Sequence, residues 1–215
     1  MLVEDVMSTK VVTLPPTALV AEALQLLETN KIRHIPIIDE EHHIVGIVSD
    51  RDIRDAAPSI FDSEANNTLQ QEIQTLMSQP VVTVHPLDFI ADTAKIFYDK
   101  EFACVPVISD EKLVGIVTEK DMLYTLIQLT GTHVQSSQID VKVPDRPGML
   151  PEVTRIIGNR KVNIVSVLIY PYKDNPNFKV IAFRIQTMNP VPTIEDLRNA
   201  GYELLWPNKD MEILQ

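Results

Sequence analysis

Two short segments of the chain place a hydroxyl and a carboxylate three residues apart. They are Ser49–Asp52 (SDRD) and Thr118–Asp121 (TEKD). A carboxylate only accepts hydrogen bonds and can accept from both hydroxyls of a diol. A hydroxyl at the start of a helix lies where free backbone N–H groups favour anions. The same spacing also fits the acidic variant of a capping box, in which the two side chains only hold the helix end. Both interpretations remain open at this point.

Each segment closes one copy of an internal repeat. A displacement of 70 residues aligns Met7 with Met77, and further along a displacement of 69 aligns Gly46 with Gly115. The one-residue difference falls in a turn, residues 39–43, that is one residue longer in the first copy. Because insertions and deletions are tolerated in loops, the duplication fits a repeated structural unit.

Each copy predicts the order strand, helix, strand, strand, helix. In the first copy a β-branched run stops at Pro15-Pro16, and the near-continuous apolar runs at 35–38 and 44–48 predict two strands covered on both faces. In the closing helix of the second copy, Leu123, Leu126 and Ile127 have helical spacing and predict a face packed against the rest of the repeat pair.

After a polar stretch, the chain changes pattern. Alternating and helical segments predict the order βαββαβ of a ferredoxin-like fold. The fold class is therefore α+β, with two βαββα repeats followed by a ferredoxin-like domain. We expect repeats at 1–60 and 76–130, a connector at 61–75, a linker at 131–137 and the last domain at 138–215.

Charge is distributed unevenly along the chain. The net charge is −11; residues 138–215 hold ten basic and nine acidic residues, and the preceding 137 hold nine basic and 21 acidic residues. Nucleic-acid binding depends on clustered basic residues, so this distribution argues against a DNA or RNA partner.

The remaining composition limits location and chemistry. Cys104 is the single cysteine, which excludes an internal disulfide. No apolar stretch reaches the length of a membrane span, and the first ten residues lack the pattern of a secretory signal, so we expect a cytoplasmic protein without membrane association. The pair His42-His43 predicts solvated side chains in a turn, and we expect no metal site.

The strings IRHIPIID with IVGIVSDRD, and FACVPVISD with LVGIVTEKD, resemble cystathionine-β-synthase (CBS) motifs, which pair into one module. The string VPDRPGMLPEVTRII with VNIVSV resembles the opening of an ACT domain. The arrangement, with RIQTMNP and LLWP near the end, is similar to the acetoin utilization (AcuB) family. That family is associated with acetoin and butanediol catabolism, which implies a partner enzyme of acetate or acetoin metabolism.

The CBS resemblance implies an adenosine ligand, whose ribose diol the carboxylate would accept and whose phosphate the hydroxyl would contact. Implied nucleotide-binding residues are Thr13, Arg33, His34, Ile35, Pro36, Ser49 and Asp52 in the first repeat, and Thr83, Cys104, Val105, Pro106, Thr118 and Asp121 in the second. We favour the first repeat because Arg33, Arg51 and Arg54 could offset phosphate charge. AMP, ADP, ATP, NAD and S-adenosylmethionine are the candidate ligands, and no cofactor is required.

The ACT resemblance implies an effector site at the turn after the first strand. Its residues would be Asp145, Arg146, Gly148, Met149, Leu150 and Asn163. The alternative is that this domain only forms a dimer surface, since the turn needs Gly148 in either case.

Three classes of function follow. The first is a non-catalytic sensor that binds a nucleotide at its CBS module, and a small metabolite or amino acid at its ACT domain, and acts as a homodimer. The second is an enzyme, for which the sequence offers no nucleophile with an identifiable base. The third is a constitutive dimeric interaction scaffold with vestigial sites.

Overall fold

Both copies of the repeat form the same series of elements in the computed structural model, which describes residues 1–56 and 68–207. The chain divides into two units, Met1–Leu123 and Tyr124–Gln215. The first copy contains a 3-10 helix at Val3–Asp5, then α1 (Val20–Asn30), β1 (His34–Ile38), β2 (Ile44–Ser49) and α2 (Asp50–Ala56). The second contains a 3-10 helix at Ile73–Thr75, then α3 (Ile90–Lys100), β3 (Cys104–Ser109), β4 (Lys112–Thr118) and α4 (Glu119–Thr130).

The first predicted strand of each copy is shorter than the sequence suggests. In the first copy it consists of a single parallel bridge between Leu14 and Ile37. The Leu14 N–H donates to the Pro36 carbonyl (3.3 Å), and the Ile38 N–H donates to the Leu14 carbonyl (3.0 Å). Pairing stops there because the prolines that follow Leu14 have no N–H to donate. The strands β1 and β2, like β3 and β4, form an antiparallel pair.

The segment that begins each copy packs into the core of the other copy. Val3 belongs to the buried cluster of the second copy, and Ile73 belongs to that of the first. The two copies also pair through their backbones: Ser8 pairs with Ile116, and Ser78 pairs with Ile47. Neither repeat therefore completes its core from its own contiguous residues.

Two glycines leave the space that this packing between the copies requires. A Cβ atom added at Gly46 would lie 2.3 Å from the Met77 sulfur, and one added at Gly115 would lie 2.7 Å from the Met7 sulfur. Each methionine thus occupies the space that a side chain at the glycine would need. The repeat alignment had matched both pairs of residues, but it gave no indication that each glycine faces the methionine of the other copy.

The predicted packing face of α4 is wrong. Leu123 is 63 % exposed, Leu126 is 57 % exposed and Ile127 is 43 % exposed. The buried residue of this helix is Thr125, and Met122 packs against the core of the second copy. Apolar spacing alone did not identify the inward face because apolar residues occupy both faces of this helix.

The second unit has the order predicted for a ferredoxin-like fold. Its elements are β5 (Ser137–Pro144), α5 (Met149–Asn159), β6 (Ile164–Pro171), β7 (Phe178–Ile185), α6 (Val191–Asn199) and β8 (Glu203–Trp206). The strands lie in the order β6-β7-β5-β8, and every neighbouring pair is antiparallel. The predicted α+β fold class, βαββα repeats followed by βαββαβ, is confirmed. Within the part of the chain described, no helix combines the length and apolarity needed to cross a bilayer.

Candidate functional site

A cleft of about 650 Å³ in the first unit is formed by residues of both copies. The first copy contributes Ser8, Lys10, Val11, Val12, Lys31, Ile32, Arg33 and His34, and the second contributes Ala103, Cys104, Ile116, Thr118, Glu119, Lys120, Asp121 and Leu123. The cleft is large enough for a drug-sized molecule, since ligand pockets in proteins are commonly about 300–1,000 Å³.

Both hydroxyl–carboxylate segments form capped helix starts. Asp52 Oδ2 accepts from the Ser49 backbone N–H and hydroxyl, each at 2.7 Å, and the Ser49 Oγ accepts from the Asp52 N–H at 3.2 Å. Asp121 Oδ2 accepts from the Thr118 N–H at 2.8 Å and from its hydroxyl at 2.6 Å. The capping interpretation is therefore confirmed, but a carboxylate has about four acceptor positions, so capping does not exhaust it.

Positive charge is concentrated around the second segment. The cleft that contains Thr118 and Asp121 is also lined by Lys10, Lys31, Arg33 and Lys120, against the acidic residues Glu119 and Asp121. Arg33 lies next to both segments: its carbonyl accepts from the Asp50 N–H of the first segment at 2.9 Å, and the residue also lines the cleft of the second. Of the other two arginines cited for the first segment, Arg54 forms an ion pair with Asp50, and Arg51 is exposed. The electrostatic argument made for the first repeat therefore applies to the second segment as well, and the choice of the first repeat stays a prediction.

His34 and Cys104, at equivalent positions of the two copies, both line the cleft. Their strands place them opposite the two hydroxyl residues, His34 beside Ser49 and Cys104 beside Thr118. Burial lowers the pKa of His34, although Asp50 and Asp52 raise it. Burial raises the pKa of the Cys104 thiol to about 12. Both side chains are therefore neutral near pH 7, which suits an uncharged ring.

Several residues implied by the CBS resemblance are not among those that line the cleft. Ile35 and Val105 are fully buried in the cores of their copies. The carbonyls of Pro36 and Pro106 accept hydrogen bonds from the short first strands, and Thr13 and Thr83 are half-buried nearby in the chain. That these six residues take part in nucleotide binding stays a prediction.

The cleft also contains residues that the sequence did not identify. They are Ser8, Lys10, Val11, Val12, Lys31, Ile32, Ala103, Ile116, Glu119, Lys120 and Leu123. Of these residues, Ser8 and Ile116 pair with each other across the two copies. The matching Met-Ser pairs at 7–8 and 77–78 were the only signal, and their crossing depends on long-range pairing that no local pattern reports.

A smaller pocket of about 170 Å³ lies at the predicted effector turn of the second unit. It brings together Asp145, Arg146, Gly148, Met149 and Leu150. The charged members already have partners: Asp145 lies 2.7 Å from the ammonium of Lys179, and the Arg146 Nε donates to the Met149 sulfur at 3.3 Å. Gly148 has φ +92° and precedes the first residue of α5, a conformation that favours glycine.

Asn163, the remaining predicted effector residue, is not among the residues that line this pocket. Its amide Nδ2 donates to Gln186 Oε1 at 3.2 Å, and its carbonyl accepts from the Gln186 N–H at 2.8 Å. Both contacts join it to the end of β7. The structure therefore unites five of the six predicted residues.

The turn between β1 and β2 differs from the expectation of a solvated histidine pair. His42 is exposed, but His43 is half-buried and its Nδ1 lies 3.1 Å from Asp39 Oδ2. One ligand atom each from Asp39, Glu41 and His43 falls within 4.8 Å of the others. Asp39 Oδ1 also accepts from the His43 N–H at 2.8 Å, so the contacts of the turn account for the arrangement. That this protein needs no metal stays a prediction.

Comparison with known families identifies the two units. The CBS domain family matches residues 3–59 and 72–128, together just over half of the 215 residues. The ACT domain family matches residues 137–201.

Three solved structures similar to the chain each cover about three fifths of it. A Vibrio cholerae protein assigned to acetoin utilization (AcuB) is 30% identical, with a TM-score of 0.55, over 62% of this chain and 95% of that one. The CBS pair of protein MJ0100, in complex with 5′-methylthioadenosine and S-adenosyl-L-methionine, is 30% identical, with a TM-score of 0.51, over 59% and 95%. CBSX2 in complex with AMP is 26% identical, with a TM-score of 0.52, over 60% and 97%. The chain thus belongs to the CBS domain family, resembles AcuB, and carries an ACT domain after its CBS pair.

Proposed function

We propose that this chain is a non-catalytic regulatory sensor that binds an adenosine-containing ligand in the cleft beside Thr118 and Asp121. The observation that carries the proposal is the cleft itself, which combines an oriented carboxylate, a hydroxyl at a helix start and four basic side chains. The similar CBS pair of MJ0100 binds S-adenosylmethionine and methylthioadenosine, and the similar protein CBSX2 binds AMP, which supports an adenosine ligand. AMP, ADP, ATP, NAD and S-adenosylmethionine form the candidate set.

The lining divides into parts that match the parts of a nucleotide. Asp121 is placed to accept from the hydroxyls of a ribose, because a carboxylate accepts only. Arg33 offers a planar fork of donors suited to phosphate. The apolar side chains of Val11, Val12 and Ile32 provide a surface for the base. No cofactor enters this proposal.

The experiment is calorimetric titration of the full chain with the five candidate ligands. Asp121→Ala should weaken binding about 10- to 100-fold, the scale of a hydrogen bond to a charged group of about 1.5–3 kcal/mol. Asp52→Ala is the matched control, because it removes an equivalent cap from the other copy. Loss of affinity in Asp52→Ala alone would place the ligand at the first segment, as the sequence had favoured. The absence of binding by all five ligands would overturn the sensor proposal.

We also propose that the chain is a homodimer. Helix α4 exposes five large apolar side chains, from 43 % to 63 % each: Leu123, Tyr124, Leu126, Ile127 and Leu129. Such a surface is unusual on a monomer, and a two-fold axis would cover it with an identical one. Light scattering should give about twice the chain mass of 24.3 kDa, and Leu126→Glu should halve that value. A monomer at micromolar concentration contradicts this proposal.

The finer parts of the proposal rest on resemblance. They are a cytoplasmic location, a role in acetoin or butanediol catabolism, a partner enzyme of acetate or acetoin metabolism, and a small metabolite or amino acid at the turn Asp145–Leu150. A second candidate is the constitutive scaffold, which is favoured by the way both hydroxyl–carboxylate pairs serve as helix caps. A thermal-shift panel separates the two: stabilisation by a nucleotide or amino acid supports the sensor, and no shift supports the scaffold.

A further inference from the structure

A pocket of about 140 Å³ lies in the second unit, which contains the ACT domain, away from the predicted effector turn. It is lined by Thr130, Thr132, Gln138, Ser166, Leu168, Ala182, Phe183 and Arg184. Strand register places Gln138, Arg184 and Ser166 side by side across three strands. These residues alternate with the buried residues Ile139 and Phe183, so they belong to the other face of the sheet.

Arg184 differs from the other cations of this sheet. Lys142 lies 2.9 Å from Glu203, and Lys179 lies 2.7 Å from Asp145. Arg184 is half-buried, and in the described ranges 1–56 and 68–207 no carboxylate oxygen lies within 4.0 Å of its guanidinium. Its hydrogen-bond partners are neutral: Nη1 donates to Ser136 Oγ at 3.3 Å, and Nη2 donates to Gln138 Oε1 at 3.1 Å. Two of its five N–H donors are used in this way, and the nearby Asp140 carboxylate accepts from Gln138 rather than from the guanidinium.

The polar groups around Arg184 are held in place. Gln138 uses its Nε2 to donate to Asp140 Oδ1 at 2.9 Å, which fixes the oxygen that faces Arg184. The Ser166 hydroxyl donates to the Thr130 carbonyl at 2.7 Å, and the Thr130 and Thr132 hydroxyl oxygens lie 3.4 Å apart. Fixed neutral hydroxyls beside a cation provide hydrogen bonds for a ligand without neutralising the cation.

We propose that this pocket binds a small organic carboxylate, with Arg184 as the residue that recognises the charged group. A planar carboxylate matches the guanidinium fork, and a pair of this kind can form two parallel hydrogen bonds. The hydroxyls suit a polar substituent on the ligand, and Leu168 and Ala182 supply an apolar wall. Asp140 stands next to Ala182 across the strands, and its negative charge disfavours a doubly charged phosphate.

The test is calorimetric titration of the full chain with acetate, lactate, alanine and inorganic phosphate, in the absence of nucleotide. At least one carboxylate should bind saturably and more tightly than phosphate. Arg184→Gln should weaken that binding at least tenfold. Arg155→Gln is the matched control, because Arg155 is an exposed cation on α5 outside the pocket. It should leave binding unchanged.

A second variant protects the test against a purely structural effect of Arg184. Ala182→Leu keeps the guanidinium and fills the pocket, so it should also abolish binding while the thermal unfolding transition remains cooperative. No saturable binding of any carboxylate to the wild-type chain would overturn the proposal. So would binding that persists in Arg184→Gln or in Ala182→Leu, and so would a preference for phosphate. None of these results depends on the nucleotide cleft of the other unit.

Discussion

The first and second hydroxyl–carboxylate segments use the same hydrogen bonds in different surroundings. In the first, the Ser49 hydroxyl donates to Asp52 at 2.7 Å, and in the second the Thr118 hydroxyl donates to Asp121 at 2.6 Å. Arg33 lines the cleft of the second segment, whereas Arg54 beside the first is paired with Asp50. The segment itself therefore cannot decide which copy binds a nucleotide. We expect the surrounding charges to decide it, and those come partly from the opposite copy.

The largest expected effect tests the packing of the first segment of each copy into the core of the other copy. Gly46→Ala and Gly115→Ala should each lower the free energy of unfolding by about 1–3 kcal/mol, the usual cost of overpacking a core. The reason is that the new Cβ would lie 2.3 Å from the Met77 sulfur or 2.7 Å from the Met7 sulfur. Chemical denaturation monitored by circular dichroism measures both.

A matched control for these variants lies in the other unit. Gly158 is within α5, and an added Cβ would meet no atom within 4 Å. Gly158→Ala should therefore stabilise by roughly 0.5–1 kcal/mol, because alanine favours a helix interior more than glycine does. The double variant Gly46→Ala with Met77→Ala should lose less stability than the sum of the two single losses, because the clash disappears with the methionine side chain. If Gly46→Ala has the same stability as wild type, the close packing of the two copies is not as described.

The next effect concerns the charges that distinguish the two segments. Arg33→Ala should weaken binding of a phosphate-bearing nucleotide about tenfold, which equals about 1.4 kcal/mol, and should leave adenosine binding nearly unchanged. The physical reason is that Arg33 lines the cleft and can pair with phosphate. Calorimetry with AMP and adenosine separates the two contributions.

Arg54→Ala supplies the comparison from the first copy. Arg54 is exposed and already paired with Asp50, so its removal should not change AMP affinity. The opposite outcome, in which Arg54→Ala weakens AMP and Arg33→Ala does not, would return the nucleotide site to the first segment.

Removal of the charged cap from either helix should have a smaller effect on stability, of equal size in the two copies. Asp52→Asn and Asp121→Asn each remove a charged cap acceptor from the start of a helix, so each should destabilise the protein by about 0.5–1 kcal/mol. Thermal denaturation at pH 7 without ligand checks this. A loss confined to one variant would mean that the two caps are not equivalent.

Local patterns predicted much of the fold. The apolar runs of residues 35–38 and 44–48 became β1 and β2, and the βαββαβ order of the last domain was confirmed. These features depend on short-range periodicity, which the sequence reports directly. The first strands were overestimated because a β-branched run beside proline cannot show how few partners it will find.

The candidate site was less predictable because it combines both copies. Thr118 and Asp121 could be identified from their spacing, but the neighbouring Lys10 and Arg33 come from the other copy. That proximity depends on the crossing of Ser8 to Ile116, a pairing between residues more than one hundred positions apart. The pocket at Arg184 was also missed, because its residues form no motif and meet only when three strands align.

The smallest effect tests the one ionisable difference between the equivalent positions His34 and Cys104. Burial lowers the pKa of His34 in the folded protein, while Asp50, Asp52 and Glu119 oppose this effect and Arg33 adds to it. The folded pKa lies below the ordinary value of 6.5. The contribution of neutral His34 to the free energy of unfolding is therefore fully present above pH 6.5. It is lost as the pH falls toward the lower folded pKa.

The pKa of the Cys104 thiol is raised to about 12, so that thiol does not titrate in acid. His34→Gln should therefore lose less unfolding free energy than wild type between pH 7.5 and 5.5, and Cys104→Ala should lose as much as wild type. Equal losses in wild type and His34→Gln would show that His34 titrates as freely in the folded protein as in the unfolded chain.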